Sequence, residues 1–288
     1  MSILFFFSLA PLEIEARGEE AQLAYQRALK DGAVNVYRVR VLLIGQDRAG
    51  KTSLKRSLIG LPFNPKEKST AGIEVDSSKR AVISVKHIKG KGVKEESVVS
   101  IELWDFAGQH LYYAFHPVFL SSRALYILVC NLSKSLHDTA KPSVRQGSRN
   151  VVLENPNGET NLEILLSWLS TVHSVAQMRR ETCDDVEEEV PHYLRPRVII
   201  VGTHADKPFK DIETMKTEIQ NAIAGNNYEG HVVRPIFSID NTAKLLQSKI
   251  RNVFTRKDEN IDDIQALQVK IMEVLRQEPY MGERIPVG

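Results

Sequence analysis

The feature that most constrains the fold of this chain is a glycine-rich motif of eight residues. Residues 45–52 read Gly-Gln-Asp-Arg-Ala-Gly-Lys-Thr and match the pattern G-x-x-x-x-G-K-[ST]. A largely apolar run, residues 39–44, precedes the motif, and a helical pattern that includes Leu54 and Leu58 follows it. A phosphate-binding loop works only between a buried strand and a helix N-terminus. The motif therefore predicts an α/β fold that binds a nucleoside triphosphate.

Each position of this phosphate loop (residues 45–52) has an expected role. The glycines let the backbone bend so that successive N–H groups point at the phosphates. Lys51 is expected on the β- and γ-phosphate oxygens, and the Thr52 hydroxyl is expected to ligate Mg²⁺. The predicted nucleotide-binding residues here are Gly45, Gln46, Asp47, Arg48, Ala49, Gly50, Lys51, Thr52 and Ser53.

Composition narrows the class of protein. The chain of 288 residues is 42% apolar and 26% charged, as expected for a soluble globular protein. Its 38 basic and 36 acidic residues nearly balance, so charge gives no reason to expect nucleic acid as a partner. The two cysteines, Cys130 and Cys183, suggest neither a disulfide framework nor a metal site, and Cys130 is predicted to be a buried thiol. We expect a reducing, cytoplasmic location.

The N-terminal residues 1–10 are apolar but too short to span a bilayer, and they lack the basic region of a signal peptide. They are either a targeting segment, the edge of a preceding module, or an imperfect gene start; no membrane insertion is expected. Residues 12–29 have the pattern of an amphipathic helix, ended by Asp31-Gly32. Residues 1–36 are therefore predicted to be an N-terminal helical extension.

Further along, strand and helix patterns alternate. Two runs with period two, around residues 83–85 and 99–103, flank Gly90-Lys91-Gly92 and predict an antiparallel hairpin. Continuous apolar runs predict buried parallel strands. The other predicted strands are 125–130, 198–202 and 235–238, and the predicted helices are 162–175, 212–224 and 261–276. The segments Asn64–Asp76, Ser133–Asn150 and Glu181–Glu189 are predicted to be polar, solvated loops.

A second motif, Trp104-Asp105-Phe106-Ala107-Gly108-Gln109, ends the predicted hairpin. Asp105 at a strand end is where the second carboxylate that holds magnesium, through water, belongs in a phosphate-loop enzyme. Gly108 offers a backbone N–H that approaches the γ-phosphate without a side chain in the way. Gln109 directly follows and is expected to orient the attacking water.

Together these motifs resemble a Ras-like small GTPase core, and specifically the Roc domain of the Roco family. The resemblance covers about residues 37–277. It implies a three-layer fold with a mostly parallel six-stranded sheet, one antiparallel edge strand and helices on both faces. The implied Roc domain spans residues 37–280, with loop insertions at about 132–160 and 178–195. Residues 281–288 would begin a linker to a COR region.

The resemblance also assigns further site residues. Thr70 matches the switch I threonine, which ligates Mg²⁺ and senses the γ-phosphate, so the Asn64–Asp76 loop is expected to order with nucleotide. Asp206, after the strand 198–202, is placed to accept two guanine N–H groups, which adenine does not offer on that edge. Thr203 and His204 stand where Asn and Lys are common. Thr203 is expected to tie this loop to the phosphate loop, and His204 to stack on the base. Ser238 is expected where the last guanine-contacting loop begins.

Asp47 and Arg48 depart from the small residues found at these positions in many small GTPases. Their bulk obstructs an arginine from an activating partner or disturbs Gln109, so we expect slow hydrolysis, on the order of 10⁻³ s⁻¹ or below. Arg48 is either an internal cation near the γ-phosphate or part of a surface ion pair with Asp47. The expected catalytic residues are Gln109, Lys51 and Thr70. His110 is either an aid in positioning water or an exposed residue.

Three functions remain open at this stage. The first is a switch that hydrolyses GTP to GDP; the second is a GTP-binding scaffold without hydrolysis; the third is a phosphate-loop ATPase, which Asp206 disfavours. No kinase signature occurs in the chain. In a full-length relative, the resemblance implies a COR region as partner, with leucine-rich repeats, kinase or death domains, and it allows a homodimer.

Overall fold

The computed structural model describes residues 14, 17–67, 70, 73–89, 93–107, 120–146, 149–152, 154–180, 194–243 and 263–287. The first of its elements is a helix, α1 (Glu19–Asp31), which is followed by the strands β1 (Ala33–Val36) and β2 (Arg38–Ile44). The remaining elements, in chain order, are α2 (Lys51–Leu58), β3 (Ile73–Lys89), β4 (Val93–Phe106), β5 (Ala124–Asn131), β6 (Ser143–Gln146), β7 (Arg149–Val152), α3 (Asn161–Arg180), β8 (Val198–Thr203), α4 (Ile212–Ile223), a 3₁₀ turn (Glu229–His231), β9 (Val232–Ile239), α5 (Asp263–Arg276) and β10 (Glu283–Pro286).

The central sheet of the described part of the chain has six strands in the order β3-β4-β2-β5-β8-β9. The edge strand β3 is antiparallel to β4, and every other neighbouring pair is parallel. The predicted fold class is therefore confirmed, including the single antiparallel edge. Because β2, β5 and β8 are parallel, their carboxyl ends meet at one edge, where the loops after β2 and β8 lie side by side.

Two apolar cores cover the two faces of this sheet. Along β5, Leu125, Ile127 and Val129 belong to the core beneath α2 and α5, whereas Ala124, Tyr126 and Leu128 belong to the core beneath α3 and α4. The alternation follows from the period of two in a strand. A strand that is buried on both faces needs apolar residues at every position, which explains why its sequence is a continuous apolar run.

The predicted hairpin is present as β3 and β4, although its turn at Gly90-Lys91-Gly92 lies outside the described residues. β3 begins at Ile73, which pairs with Phe106, so the Asn64–Asp76 loop prediction was wrong for its last residues. Those residues complete the edge of the sheet, and the ladder satisfies their backbone groups. The strand predicted at 235–238 is also longer, because β9 extends from Val232 to Ile239.

The prediction of a solvated loop at Ser133–Asn150 was wrong in part, because some of its residues are buried or form a strand. Leu136 and Ala140 are buried in the core beneath α3, and β6 pairs with β7 as a short antiparallel hairpin. Two apolar side chains in a polar stretch were enough to anchor it, because each is removed from water against α3. The segment Glu181–Glu189 lies outside the described residues.

The two ends of the described chain meet in a separate two-stranded sheet. β1 pairs antiparallel with β10, and Val34 lies opposite Ile285. α1 lies against this sheet, where the Tyr25 hydroxyl donates to the backbone oxygen of Arg284. α1 has no buried residue, so its amphipathic pattern is satisfied only in part by this contact. Among the described helices, none is long and apolar enough to cross a bilayer.

Candidate functional site

The phosphate loop connects the buried strand β2 to the start of α2, as the motif predicts. Gly45 has φ 132°, and a Cβ there would lie 2.2 Å from the backbone oxygen of Val129 in β5. Gly50 precedes α2 with φ 84°, in the left-handed region that favours glycine. The backbone conformation therefore favours glycine at both positions, and at Gly45 the close approach of β5 requires it as well.

Lys51 is held inside this loop by backbone carbonyls. Its ammonium group donates to the oxygens of Gly45 and Gln46 at 2.9 and 2.8 Å, and the residue is 6% exposed. Burial lowers the pKa of Lys51 to about 8, although the charges of Asp105 and Asp47 act in the opposite direction. A cation held this way is available for an anion placed in the loop.

Three oxygen-bearing side chains converge beside Lys51. The Thr52 hydroxyl donates to Asp105 Oδ2 at 2.5 Å and lies 3.1 Å from the Thr70 hydroxyl, which is 3.2 Å from the same carboxylate oxygen. The structure thus brings together the three residues that the sequence assigned to magnesium, from α2, β4 and the segment before β3.

Asp105 in this cluster is fully buried, and its Oδ1 atom has no hydrogen-bond partner among the described residues. Burial raises the pKa of the Asp105 carboxyl, whereas Lys51, Thr52, Lys55 and Thr70 lower it. A buried carboxylate oxygen without a partner is costly, and a hard cation or its bound water would satisfy it. The oxygen-only donor set fits Mg²⁺. Among the described residues, no group of three or more His, Cys, Asp or Glu side chains forms a metal site of another kind.

A second buried lysine lies close to this cluster, and the sequence analysis did not identify it. Lys55, one turn along α2 from Lys51, is 4% exposed, and its ammonium group is 3.2 Å from Glu74 Oε2 in β3. A lysine at i+4 from the motif lysine lies on the same helix face, so helical spacing was the signal that could have found it.

The loop after β8, residues 203–206, contacts the phosphate loop directly. The Thr203 hydroxyl is fully buried and lies 2.5 Å from the backbone oxygen of Ala49, 3.2 Å from that of Cys130 and 2.9 Å from His204 Nδ1. The Thr203 hydroxyl has a single hydrogen, which it donates to the backbone oxygen of Ala49. The neutral tautomer of His204 that carries its hydrogen on Nδ1 then donates to the Thr203 hydroxyl oxygen. The Thr203 hydroxyl therefore links the loop after β8 to the phosphate loop, where the sequence predicts such a link.

His204 and Asp206 form the outer part of the same loop. His204 is half-buried with φ 58°, and burial is the main reason that its pKa is lowered. Its ring is therefore neutral at physiological pH and suited to stacking rather than to charge pairing. The Asp206 side chain is exposed and available at the rim.

Ser238 lies in β9 opposite Gly202, one position before the strand ends at Ile239. The prediction that the last base-contacting loop begins at Ser238 was wrong by two residues, because ladder pairing continues through Ile239 and the loop begins at Asp240. In that loop the Asn241 Oδ1 atom is 3.3 Å from the Ser57 hydroxyl of α2.

Asp47 and Arg48 form the expected ion pair, with Arg48 Nε 3.7 Å from Asp47 Oδ2. Asp47, however, is only 7% exposed, so the acidic partner of this ion pair is buried rather than at the surface. The Ser143 hydroxyl at the start of β6 donates to the same oxygen at 3.2 Å. Ser143 and Asn131, which lies at the end of β5 and contacts the backbone oxygen of Arg48, are site residues that the sequence analysis missed.

Some predicted residues lie outside the described part of the chain. These are Gly108, Gln109 and His110. Their assigned roles remain predictions. Cys130, which the sequence predicts to be buried, is only partly buried as a residue and packs against the core, while burial of its thiol raises the thiol pKa to about 12.

Comparison with known proteins shows which domains and proteins this chain resembles. Residues 40–156 match the family model described as "Ras of Complex, Roc, domain of DAPkinase". The chain is 32% identical over 130 residues to the probable serine/threonine-protein kinase pats1 of Dictyostelium discoideum, which covers 42% of this chain and 4% of that protein. It is also 28% identical over 211 residues to the Ras-related protein Rab-32B of the same organism, covering 65% of this chain and 75% of that one.

Among solved structures, Methanosarcina barkeri Roco2 RocCORdC bound to GDP is similar to the chain with a TM-score of 0.45 and 20% identity. The match covers 88% of this chain and 54% of that chain. The chain thus spans 4% of the length of the pats1 kinase, whereas it covers 75% of the Ras-related relative. The matched region contains the phosphate loop, Thr70 and Asp105. Residues 40–156 are therefore similar to a Roc domain, and the chain is similar to a Ras-related protein over much of that protein's length.

Proposed function

We propose that this chain is a GTP-binding molecular switch that hydrolyses GTP slowly to GDP and phosphate with Mg²⁺, in signal transduction in the cytoplasm. The observation that carries the proposal is the convergence of Thr52, Thr70 and Asp105 beside the buried Lys51. These side chains come from three separate elements. A structural hydrogen-bond cluster does not need a cation trapped against carbonyls and a carboxylate oxygen left without a partner.

Thr52, Thr70 and Asp105 would hold the Mg²⁺, Asp105 through water. When bound, the ion neutralises charge on the β- and γ-phosphate oxygens. Lys51 contributes the fixed positive charge of the loop, and the N-terminus of α2 contributes its backbone N–H groups. Thr70 comes from the segment that joins α2 to β3, so its contact with Thr52 couples that segment to the site and provides a means of sensing the γ-phosphate.

Hydrolysis is assigned to in-line attack by a water that Gln109 orients, in a loose transition state whose charge Lys51 offsets. Gly108 would donate its N–H to the γ-phosphate. Both assignments follow from the Asp-Phe-Ala-Gly-Gln motif. The buried Asp47 supports the expectation of a slow rate, since it puts a negative charge in a loop that must accept phosphates.

Guanine selection is assigned to Asp206, with His204 stacking on the base and Thr203 fixing their loop. Asp206 is exposed at the rim, as a residue that meets a ligand must be. The neutral His204 ring is compatible with stacking. Ser238 is proposed as a minor contact, because it lies on β9 directly beside β8. An ATPase is disfavoured because adenine presents no pair of donors to this carboxylate.

A GTP-binding scaffold without hydrolysis is the second candidate, and the buried Asp47 is the observation that favours it. For the longer protein, we propose a COR region, leucine-rich repeats, kinase or death domains as partners, and a homodimer. The pats1 relative is a probable serine/threonine-protein kinase, which is consistent with a kinase elsewhere in such a chain.

Single-turnover hydrolysis of GTP with Mg²⁺ tests the proposal, with nucleotide occupancy measured in the same samples. The parent should release phosphate, Gln109→Ala should bind GTP but release phosphate at least about 10-fold more slowly, and Lys51→Ala should lose occupancy. Gln26→Ala, an exposed glutamine of α1, is the matched control and should equal the parent.

Two other outcomes would redirect the assignment. A parent that holds GTP through Lys51 without any release of phosphate is a scaffold. Thermal stabilisation by ATP alone, without any by GTP or GDP, would overturn the base assignment.

A further inference from the structure

Three consecutive residues of the phosphate loop are held from outside by three different elements. Asp47 Oδ2 accepts a hydrogen bond from the Ser143 hydroxyl at 3.2 Å. The backbone oxygen of Arg48 is 3.5 Å from the Asn131 amide nitrogen, and that of Ala49 is 2.5 Å from the Thr203 hydroxyl. Asn131 and Thr203 end strands of the central sheet, whereas Ser143 belongs to the hairpin of the insertion between β5 and α3.

The Ser143 contact is made to a buried charged group of the loop. A carboxylate that is 7% exposed needs partners, and a carboxylate in a phosphate-binding loop also repels the phosphates. Asp47 Oδ2 has the Ser143 hydroxyl and the Arg48 guanidinium as neighbours, while Lys51 donates to Gly45 and Gln46. The hydroxyl of Ser143 thus fixes where the negative charge of Asp47 lies.

The hairpin that supplies Ser143 is itself anchored on the domain. Leu136 and Ala140, just before it, are buried beneath α3. After it, the Asn155 amide donates to the backbone oxygens of Ala140 and Glu159 at 3.0 and 2.9 Å. Both ends of the hairpin are therefore fixed, so its contact with Asp47 acts on the phosphate loop rather than only on the hairpin.

We propose that Ser143 is a positioning residue for nucleotide binding: its hydroxyl fixes Asp47, keeps the phosphate loop in its binding conformation and slows nucleotide release. The inference rests on the proposed binding of guanine nucleotide. It assigns to the insertion between β5 and α3 a role in nucleotide retention.

The dissociation rate of a fluorescent GDP analogue, chased with unlabelled GDP in the presence of Mg²⁺, tests this role. Ser143→Ala should release the analogue about 3- to 10-fold faster than the parent, the size expected for loss of one intramolecular hydrogen bond. Ser143→Thr keeps the hydroxyl and should restore the parent rate. Ser174→Ala, which removes an exposed hydroxyl bonded to the Ser170 oxygen in α3, is the matched control.

A double-mutant cycle shows whether the effect passes through Asp47. In an Asp47→Ala background, Ser143→Ala should leave the release rate unchanged, because the acceptor is already gone. An equal acceleration in both backgrounds would overturn the proposal, as would a Ser143→Ala rate equal to that of Ser174→Ala. Folding of each variant is followed by its melting temperature without nucleotide, and a drop without any change in release rate also counts against the proposal.

Failure of the proposed function gives a different result. A parent that does not retain the GDP analogue has no guanine nucleotide site, which would be seen in occupancy before any variant is compared.

Discussion

Burial destabilises the charged form of Lys51, and this predicts how nucleotide binding depends on pH. The pKa of Lys51 is lowered from 10.5 to about 8, mainly by burial. Nucleotide phosphates favour the charged form, so binding of GDP should take up a proton once Lys51 has begun to deprotonate. Between pH 7.0 and 8.5 the affinity for GDP should therefore fall about fourfold. Isothermal titration at the two pH values measures it.

Lys51→Arg is the control for this prediction, because a guanidinium group stays charged across this pH range and any remaining change reports ionisation of the nucleotide itself. A fourfold change that persists in Lys51→Arg would show that another group is responsible. The stability of the nucleotide-free domain should depend on pH in the opposite direction. Between pH 8 and 10.5 Lys51 is protonated more in the unfolded chain than in the folded one, so the free energy of unfolding should rise with pH across that window.

At the residue scale, the sequence predicted contacts between residues of the nucleotide-binding motifs. It missed the contacts made by the segment between β5 and α3. The Thr203 hydroxyl contacts Ala49 as expected, because both residues sit at fixed offsets from strand ends. Ser143 could not be found this way. Its contact with Asp47 spans 96 positions and depends on how a polar hairpin packs, for which the sequence carries no periodic signal.

At the scale of elements, the segment between β5 and α3 is partly built into the core, although the sequence predicts a solvated loop there. Leu136 is 3% exposed beneath α3, whereas Val152 in β7 is 66% exposed. Leu136→Ala should lower the free energy of unfolding by about 2–5 kcal/mol, the cost of a buried leucine truncated in a packed site. Val152→Ala, an aliphatic truncation in the same insertion, should change it by less than about 0.5 kcal/mol. Urea unfolding measures both, and equal effects would place Leu136 outside the core.

The elements that the sequence predicted well are those with strong local patterns. Apolar runs gave β2, β5 and β8, and helical periodicity gave α3 and α4, with ends that differ by a few residues. The four-residue strands β1, β6, β7 and β10 were missed. Such short strands have no intrinsic stability and exist because a distant partner pairs with them, so local composition does not identify them.

At the scale of the whole molecule, both ends of the described chain depend on one sheet. β1 pairs with β10, the Gly282 N–H donates to the backbone oxygen of Val36 at 3.0 Å, and Arg123 before β5 pairs with Glu283. The domain boundaries expected at residues 36/37 and 280/281 fall beside these strands and remain predictions. The pairing implies that neither flanking segment is independent of the other.

This dependence predicts that truncations of the two ends are not additive. Removing residues 1–36 deprives β10 of its partner, and removing residues 281–288 does the same to β1 and to α1. Each single truncation should therefore lower the free energy of unfolding by a similar amount, about 1–3 kcal/mol, and the double truncation should cost little more than either one. Chemical unfolding of the four forms gives the interaction energy directly. Additive costs would mean that each end packs on the domain by itself, and that the β1–β10 pair does not join them.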